Sequence, residues 1–222
     1  MEKRCVVFDL DGTLADTSRD LIGSANARFE ALGHGALLDP IDDASTAFRG
    51  GRAMLRLGFS RVNGTADENE VEREYPLLLE AYAERIDLET VLYPGAEAAV
   101  EALLGAGYAT AICTNKPEGL AETLMRRLGV RDLFGSLIGA DTLVPKPDPR
   151  PYRAAVERAG GAVEHSCLIG DTLTDRDTAR AAGVPVVLVT FGPEGRAVAD
   201  LEPDGLLGSY DRLGGEIARL IG

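Results

Sequence analysis

Two carboxylates, Asp9 and Asp11, stand at the end of an apolar run, Cys5 to Phe8, in the stretch R-C-V-V-F-D-L-D-G-T-L-A-D over residues 4–16. Acids this close on the end of an apolar strand repel each other and are costly to desolvate, so the pair makes sense mainly if a cation binds between them. A hard, oxygen-seeking ion such as Mg2+ is the natural choice. The plainer reading is that both acids cap a turn and the next helix, which Asp often does. Gly12 lets the backbone turn tightly before Thr13, and an anionic ligand would fit at that turn.

Other polar groups follow apolar runs farther along the chain. Thr114, Asn115 and Lys116 follow one run, and Gly170, Asp171, Thr172 and Asp175 follow another. Lys146 lies in the proline-rich loop V-P-K-P-D-P. In open parallel sheets ligands bind outside the carboxyl ends of the strands, which is where these residues are expected. Each has a plainer reading. Asp171 and Asp175 suit a helix N-cap and first turn, each worth about 1 kcal/mol. Thr114 suits an ordinary strand end, and Lys146 a solvated loop, although Pro145 and Pro147 stiffen that loop. Lys116 is read as a flanking residue that contributes at most to the local field.

The elements that must position these groups are legible from periodicity. Strands are expected at 5–8, 109–113, 136–138, 167–169, 186–189 and 205–207. Helices are expected at 96–106, 118–128, 150–159, 176–182 and 213–220, and this alternation implies right-handed crossovers and a parallel sheet with helices on both faces. Between 17 and 90 no strand-like run occurs. Helical spacing covers 17–32, short helices broken at Gly50-Gly51 cover 42–60, and a further helix covers 67–85. The expected fold is therefore α/β, a Rossmann-like parallel sheet over 1–15 and 91–222, with an all-helical cap inserted at 16–90. Arg49, Arg52 and Arg56 cluster around the glycine pair. Arg52 is the candidate to take a substrate carboxylate bidentately, against the alternative of solvated helix arginines.

The net charge of −13 argues against nucleic acid or an anionic membrane surface as a partner. Cys5, Cys113 and Cys167 each fall inside an apolar run and lack paired spacing, which suggests buried hydrophobes in a reducing compartment. No segment has the length of a membrane span and the N-terminus enters a strand within a few residues, so a cytoplasmic protein, monomer or homodimer, is expected.

Taken together, D-L-D-G-T (9–13), T-N-K (114–116), Lys146 in K-P-D-P, and G-D-T-L-T-D (170–175) resemble the haloacid dehalogenase superfamily of phosphotransferases, in that family's order. The helical insert resembles the small cap of its phosphoglycolate phosphatase-like branch. The resemblance implies a Mg2+-dependent phosphatase acting on a small phosphorylated metabolite, first of all 2-phosphoglycolate. Phosphoryl transfer needs positioning and charge neutralisation above all. Asp9 is then the nucleophile, Asp11 the acid and base, and Lys146 a catalytic cation. Gly12, Thr13, Thr114, Asn115 and Arg52 are the expected phosphate- or substrate-binding residues. Asp9 and Asp171 offer side-chain oxygens to Mg2+, and the resemblance adds the Asp11 carbonyl, with Asp175 organising the ligands around them. A phosphatase for sugar phosphate or pyrophosphate, a sugar phosphomutase, and more remotely a receiver-type phosphorylation switch remain open alternatives. A dehalogenase would not need Asp11.

Overall fold

The computed structural model describes residues 3–222. The chain forms two compact units, one running to Ala15 and again from Leu92 to Gly222, the other from Asp16 to Val91. Residues 1 and 2 of the core expected over 1–15 lie outside the described residues.

In the first unit, the apolar run Cys5–Phe8 is strand β1, buried at all four positions, as a strand covered on both faces requires. The chain leaves through β2 (Ala15–Asp16) and returns through β3 (Val91–Leu92), two-residue strands that form a small sheet of their own. Then come α5 (Ala96–Gly105), β4 (Ala109–Cys113), α6 (Glu118–Arg127), β5 (Ser136–Ile138), α7 (Pro149–Arg158), β6 (Ser166–Gly170), α8 (Leu173–Ala182), β7 (Val186–Val189), β8 (Gly205–Leu207) and α9 (Leu213–Ile221). The six strands β1 and β4–β8 form one parallel sheet in the order β5-β4-β1-β6-β7-β8. The succession of strands therefore reverses direction at β1, which has β4 on one side and β6 on the other. A crevice for ligands opens at the carboxyl ends of strands where the order switches in this way.

Residues from β1, β4 and β6 pack with Tyr152, Ala155 and Val156 of α7 into a core from which water is excluded. Tyr152 satisfies its buried hydroxyl against Ser166 Oγ at 2.7 Å. All three cysteines are buried and unpaired, and burial pushes the Cys5 and Cys113 thiols up to about 12. They are inert core residues.

The second unit holds α1 (Ser18–Ala31), α2 (Ala44–Phe48), α3 (Gly51–Asn63) and α4 (Glu68–Glu84). Phe29 of α1 meets Phe59 of α3 edge to face at 5.4 Å, and a Cβ at Gly58 would lie only 2.1 Å from the Phe29 ring, so glycine lets these helices approach. Buried Asp20 accepts from the backbone N–H groups of Glu89 and Thr90 and from the Thr90 hydroxyl, at 2.8–2.9 Å. That carboxylate ties the start of α1 to the end of the unit.

The elements lie close to their expected bounds. Helix α8 begins three residues earlier than its apolar spacing indicates, because Asp175 bonds back to Thr172 and starts the helix there. No helix among the described residues is long and apolar enough to cross a membrane.

Candidate active site

Register alone brings the dispersed acids together. Phe8 lies opposite Ile112 of β4 and Ile169 of β6, so Asp9 is level with Cys113 and Gly170, and Thr114 and Asp171 follow one step on. Asp9 also donates its backbone N–H to Ile169 O at 2.8 Å. One oxygen from each of Asp9, Asp171 and Asp175 falls within 4.8 Å of the others, and all three residues are buried.

Lys146 enters this acidic pocket. Its Nζ lies 2.9 Å from Asp9 Oδ1 and 2.6 Å from Asp175 Oδ1, bridging the two carboxylates, and the lysine is only 5% exposed. Burial disfavours its charge, but Asp175 and Asp9 outweigh that and hold its pKa above the ordinary lysine value. Apart from this ion pair with Lys146, Asp9 Oδ1 is a buried oxygen that meets no hydrogen-bond donor. Burial pushes Asp9 up to about 6, against the pull of Lys146, with Asp175 and Asp11 adding repulsion. Asp171 is likewise raised well above the carboxylate range, by burial first and then by Asp175 and Asp9. These acids are electrostatically frustrated, and an orphaned carboxylate oxygen in an all-oxygen donor set fits a hard divalent cation.

Asp175 organises the loop after β6. Its Oδ2 accepts from the Thr172 hydroxyl at 2.6 Å, from Thr172 N–H at 3.1 Å and from Asp171 N–H at 3.3 Å, while Oδ1 takes Lys146. Both oxygens are committed, so Asp175 orients its neighbours. Gly170 makes room for it, since a Cβ there would come within 2.4 Å of Asp175 Cβ and Cγ.

Several groups expected to bind phosphate or substrate make contacts within the chain itself. Thr13 is fully buried and donates its hydroxyl to Asp171 Oδ1 at 3.1 Å, so it fixes an acid. Gly12, with φ 81°, makes the turn, but its N–H donates to Ala15 O at 2.9 Å. Asn115 Oδ1 accepts from Lys146 N–H at 2.8 Å and Nδ2 donates to Lys146 O at 3.0 Å, a two-point clamp that seats the lysine loop. Thr114 is buried at the end of β4, where its hydroxyl oxygen accepts from Lys116 N–H at 3.1 Å. In the other unit, the Arg52 guanidinium pairs with both oxygens of Glu72 at 2.5 and 2.8 Å and stacks on Tyr75 at 3.6 Å. Its fork already holds a carboxylate of the chain itself, as does that of Arg56 with Glu68 at 2.7 Å.

Two residues outside the expected set belong to this region. Lys116, read as a flank, turns inward. Its Nζ lies 3.0 Å from Asp11 Oδ1 and its side chain is 4% exposed. The signal was its place directly after a strand end beside Thr114 and Asn115. Tyr210 donates its hydroxyl to Thr13 O at 2.8 Å and packs at a tilt against Phe191, bracing the turn that carries Asp11. Nothing in the local sequence around 210 announces that contact, which spans most of the chain.

Comparison with known proteins identifies relatives of the whole chain. A curated phosphoglycolate phosphatase of Mesorhizobium japonicum is 39% identical over 228 residues, covering 100% of this chain and 98% of its own. A second, of Agrobacterium fabrum, is 36% identical over 93% of this chain and 89% of its own. A crystal structure from Haemophilus somnus, described as a predicted phosphoglycolate phosphatase, has a TM-score of 0.83 at 24% identity, covering 97% of this chain and 98% of its own, which shows the shared fold. The model of the haloacid dehalogenase-like hydrolases matches residues 3–183. With the parallel sheet, the acids at its switch point and these full-length relatives in agreement, the chain belongs to the haloacid dehalogenase-like hydrolase family.

Proposed function

We propose that this protein is a Mg2+-dependent phosphomonoesterase that works through an aspartyl phosphate, with 2-phosphoglycolate as its substrate. The observation that carries the reading is the buried cluster of Asp9, Asp171 and Asp175 oxygens, with Lys146 bridging it and Asp11 beside it. The relatives named for phosphoglycolate support the choice of substrate. The helical unit from Asp16 to Val91 takes the part of the cap.

Asp9 supplies the nucleophilic oxygen. It forms a bond to phosphorus as the bond from phosphorus to the leaving alcohol breaks. Asp11 gives its proton to the departing oxygen, then accepts one from the water that attacks phosphorus, which releases phosphate and regenerates Asp9. Lys146 holds a positive charge beside Asp9, where the transferring group gathers negative charge, and Asn115 keeps it there. Thr114, at the end of β4, offers a hydroxyl on the same side. Asp9 and Asp171 side chains and the Asp11 carbonyl would hold Mg2+, with Asp175 fixing the loop around it, and the ion supplies neutralising charge when bound.

Purified protein is expected to hydrolyse 2-phosphoglycolate with Mg2+, to lose that activity with EDTA, and to prefer it over glucose 6-phosphate and pyrophosphate in a phosphate-release assay. Equal, negligible turnover with and without Mg2+ would end the phosphatase reading, and a preference for either rival would end the choice of substrate.

The raised carboxylates also set a pH dependence of stability. Asp9 moves from an ordinary 3.8 to about 6, so its ionised form carries a penalty of about 3 kcal/mol in the folded state. That penalty is present in full above pH 6 and fades as pH falls, because the folded chain then binds more protons than the unfolded one. The depressed surface acids, Glu68 and Glu72 beside Arg56 and Arg52, act at lower pH and do not oppose it. Without metal, this site therefore makes the protein more resistant to urea at pH 5.5 than at pH 7.5, and Mg2+ is expected to raise the pH 7.5 midpoint most. A midpoint unmoved by millimolar Mg2+ at pH 7.5 would count against the metal site.

A further inference from the structure

We propose that Lys116 reads the carboxylate of the leaving group, and so selects phosphate esters whose alcohol carries an anion next to the ester oxygen. This deepens the substrate reading above and rests on it.

Lys116 is a charged residue 7% exposed, and such a residue is rarely buried without a partner. It is held from both sides: its N–H donates to Thr114 Oγ1 at 3.1 Å, and its carbonyl accepts from Ala140 N–H at 3.0 Å. The ammonium this backbone delivers is 3.0 Å from Asp11 Oδ1. Asp11 must touch the leaving oxygen to protonate it, so Lys116 stands on the leaving-group side of the reaction, as Lys146 stands on the side of the nucleophile. In 2-phosphoglycolate a single methylene carbon separates the ester oxygen from the carboxylate, so an acid that touches that oxygen has the carboxylate within reach of its own ion-pair partner.

Charge requires a cation at this point. A second substrate anion entering beside Asp9 and Asp11 would be repelled by both unless a fixed positive charge met it. The same pocket shows that one ammonium suffices for two acids, since Lys146 Nζ bridges Asp9 and Asp175 at 2.9 and 2.6 Å. Lys116 bridges Asp11 and the substrate carboxylate in the same way. The specificity group is thus supplied by the end of β4, whereas Arg52, the candidate from the sequence, is already paired with Glu72.

The test compares 2-phosphoglycolate with ethyl phosphate, which lacks the carboxylate, in wild type, Lys116→Met and Lys116→Arg. The readout is the ratio of the two kcat/KM values within each preparation, which is independent of the folded fraction. Wild type is expected to favour 2-phosphoglycolate strongly. Lys116→Met is expected to lower the ratio at least tenfold, chiefly through KM for the carboxylate substrate, and Lys116→Arg to keep most of it. A high wild-type ratio that survives in Lys116→Met overturns this inference alone. A fall in kcat alike for both substrates also overturns it, by showing that Lys116 acts only through Asp11. A wild-type ratio near one overturns the substrate reading and this inference with it.

Discussion

Asp9→Asn is expected to lower kcat for 2-phosphoglycolate by at least about 10^4-fold, the scale seen when a covalent nucleophile is removed. The amide keeps the size of the carboxylate but has no anionic oxygen to attack phosphorus. Acid-quenched wild type mixed with substrate should carry protein-bound phosphate, and the variant should carry none. Stability separates this result from misfolding. Asp9 is buried with its pKa pushed up to about 6, so at pH 7.5 the neutral amide relieves repulsion from Asp175 and Asp11, while Lys146 keeps Asp175 as its partner. The variant should therefore be no less resistant to urea than wild type at that pH. Retained turnover in a folded Asp9→Asn protein would remove the aspartyl-phosphate mechanism.

Lys146→Met is expected to harm activity and stability together, which distinguishes it from Asp9→Asn. Its ammonium is shared by two buried acids, and breaking a buried charge network by deleting one partner typically costs about 3–5 kcal/mol. Turnover should fall about 10^2–10^3-fold or more, as it does when a preorganised positive group is lost from a reacting centre. The destabilisation has a pH signature. With the lysine gone, Asp9, already pushed up to about 6, is held further above its unfolded value, so the loss is largest at pH 7.5 and shrinks as it takes up a proton toward pH 5.5. Urea midpoints at the two values check this. An equal deficit at both would mean that the introduced thioether side chain disturbs packing and that the acids do not depend on the ammonium.

Together these variants separate two tasks that one cluster performs. Asp9 is needed for chemistry at some expense to the metal-free fold, whereas Lys146 serves both. Asn115 belongs with Lys146, because it clamps the lysine loop by its backbone.

Much of this was legible in the amino-acid order. The run C-V-V-F must be covered on both faces, the alternation after residue 91 dictates a parallel sheet, and the residues that follow apolar strands must cluster at its carboxyl edge. Those rules depend on local composition and on period, so Asp9, Asp11, Lys146, Asp171 and Asp175 could be named without coordinates. Arrangement within the site was another matter. Whether Thr13 meets Asp171, whether Asn115 meets the Lys146 backbone, and whether Arg52 is bound to Glu72 depend on contacts between residues far apart in the chain. The same holds for Lys116, whose direction is set by the turn after β4, and for Tyr210, which reaches Thr13 across 197 positions. Sequence determined which chemical groups arrive at the sheet edge, because strand period and polarity are local properties. Only the tertiary structure decided which donor meets which acceptor there, because a hydrogen bond is fixed by angstrom-scale distance and angle that no local pattern encodes.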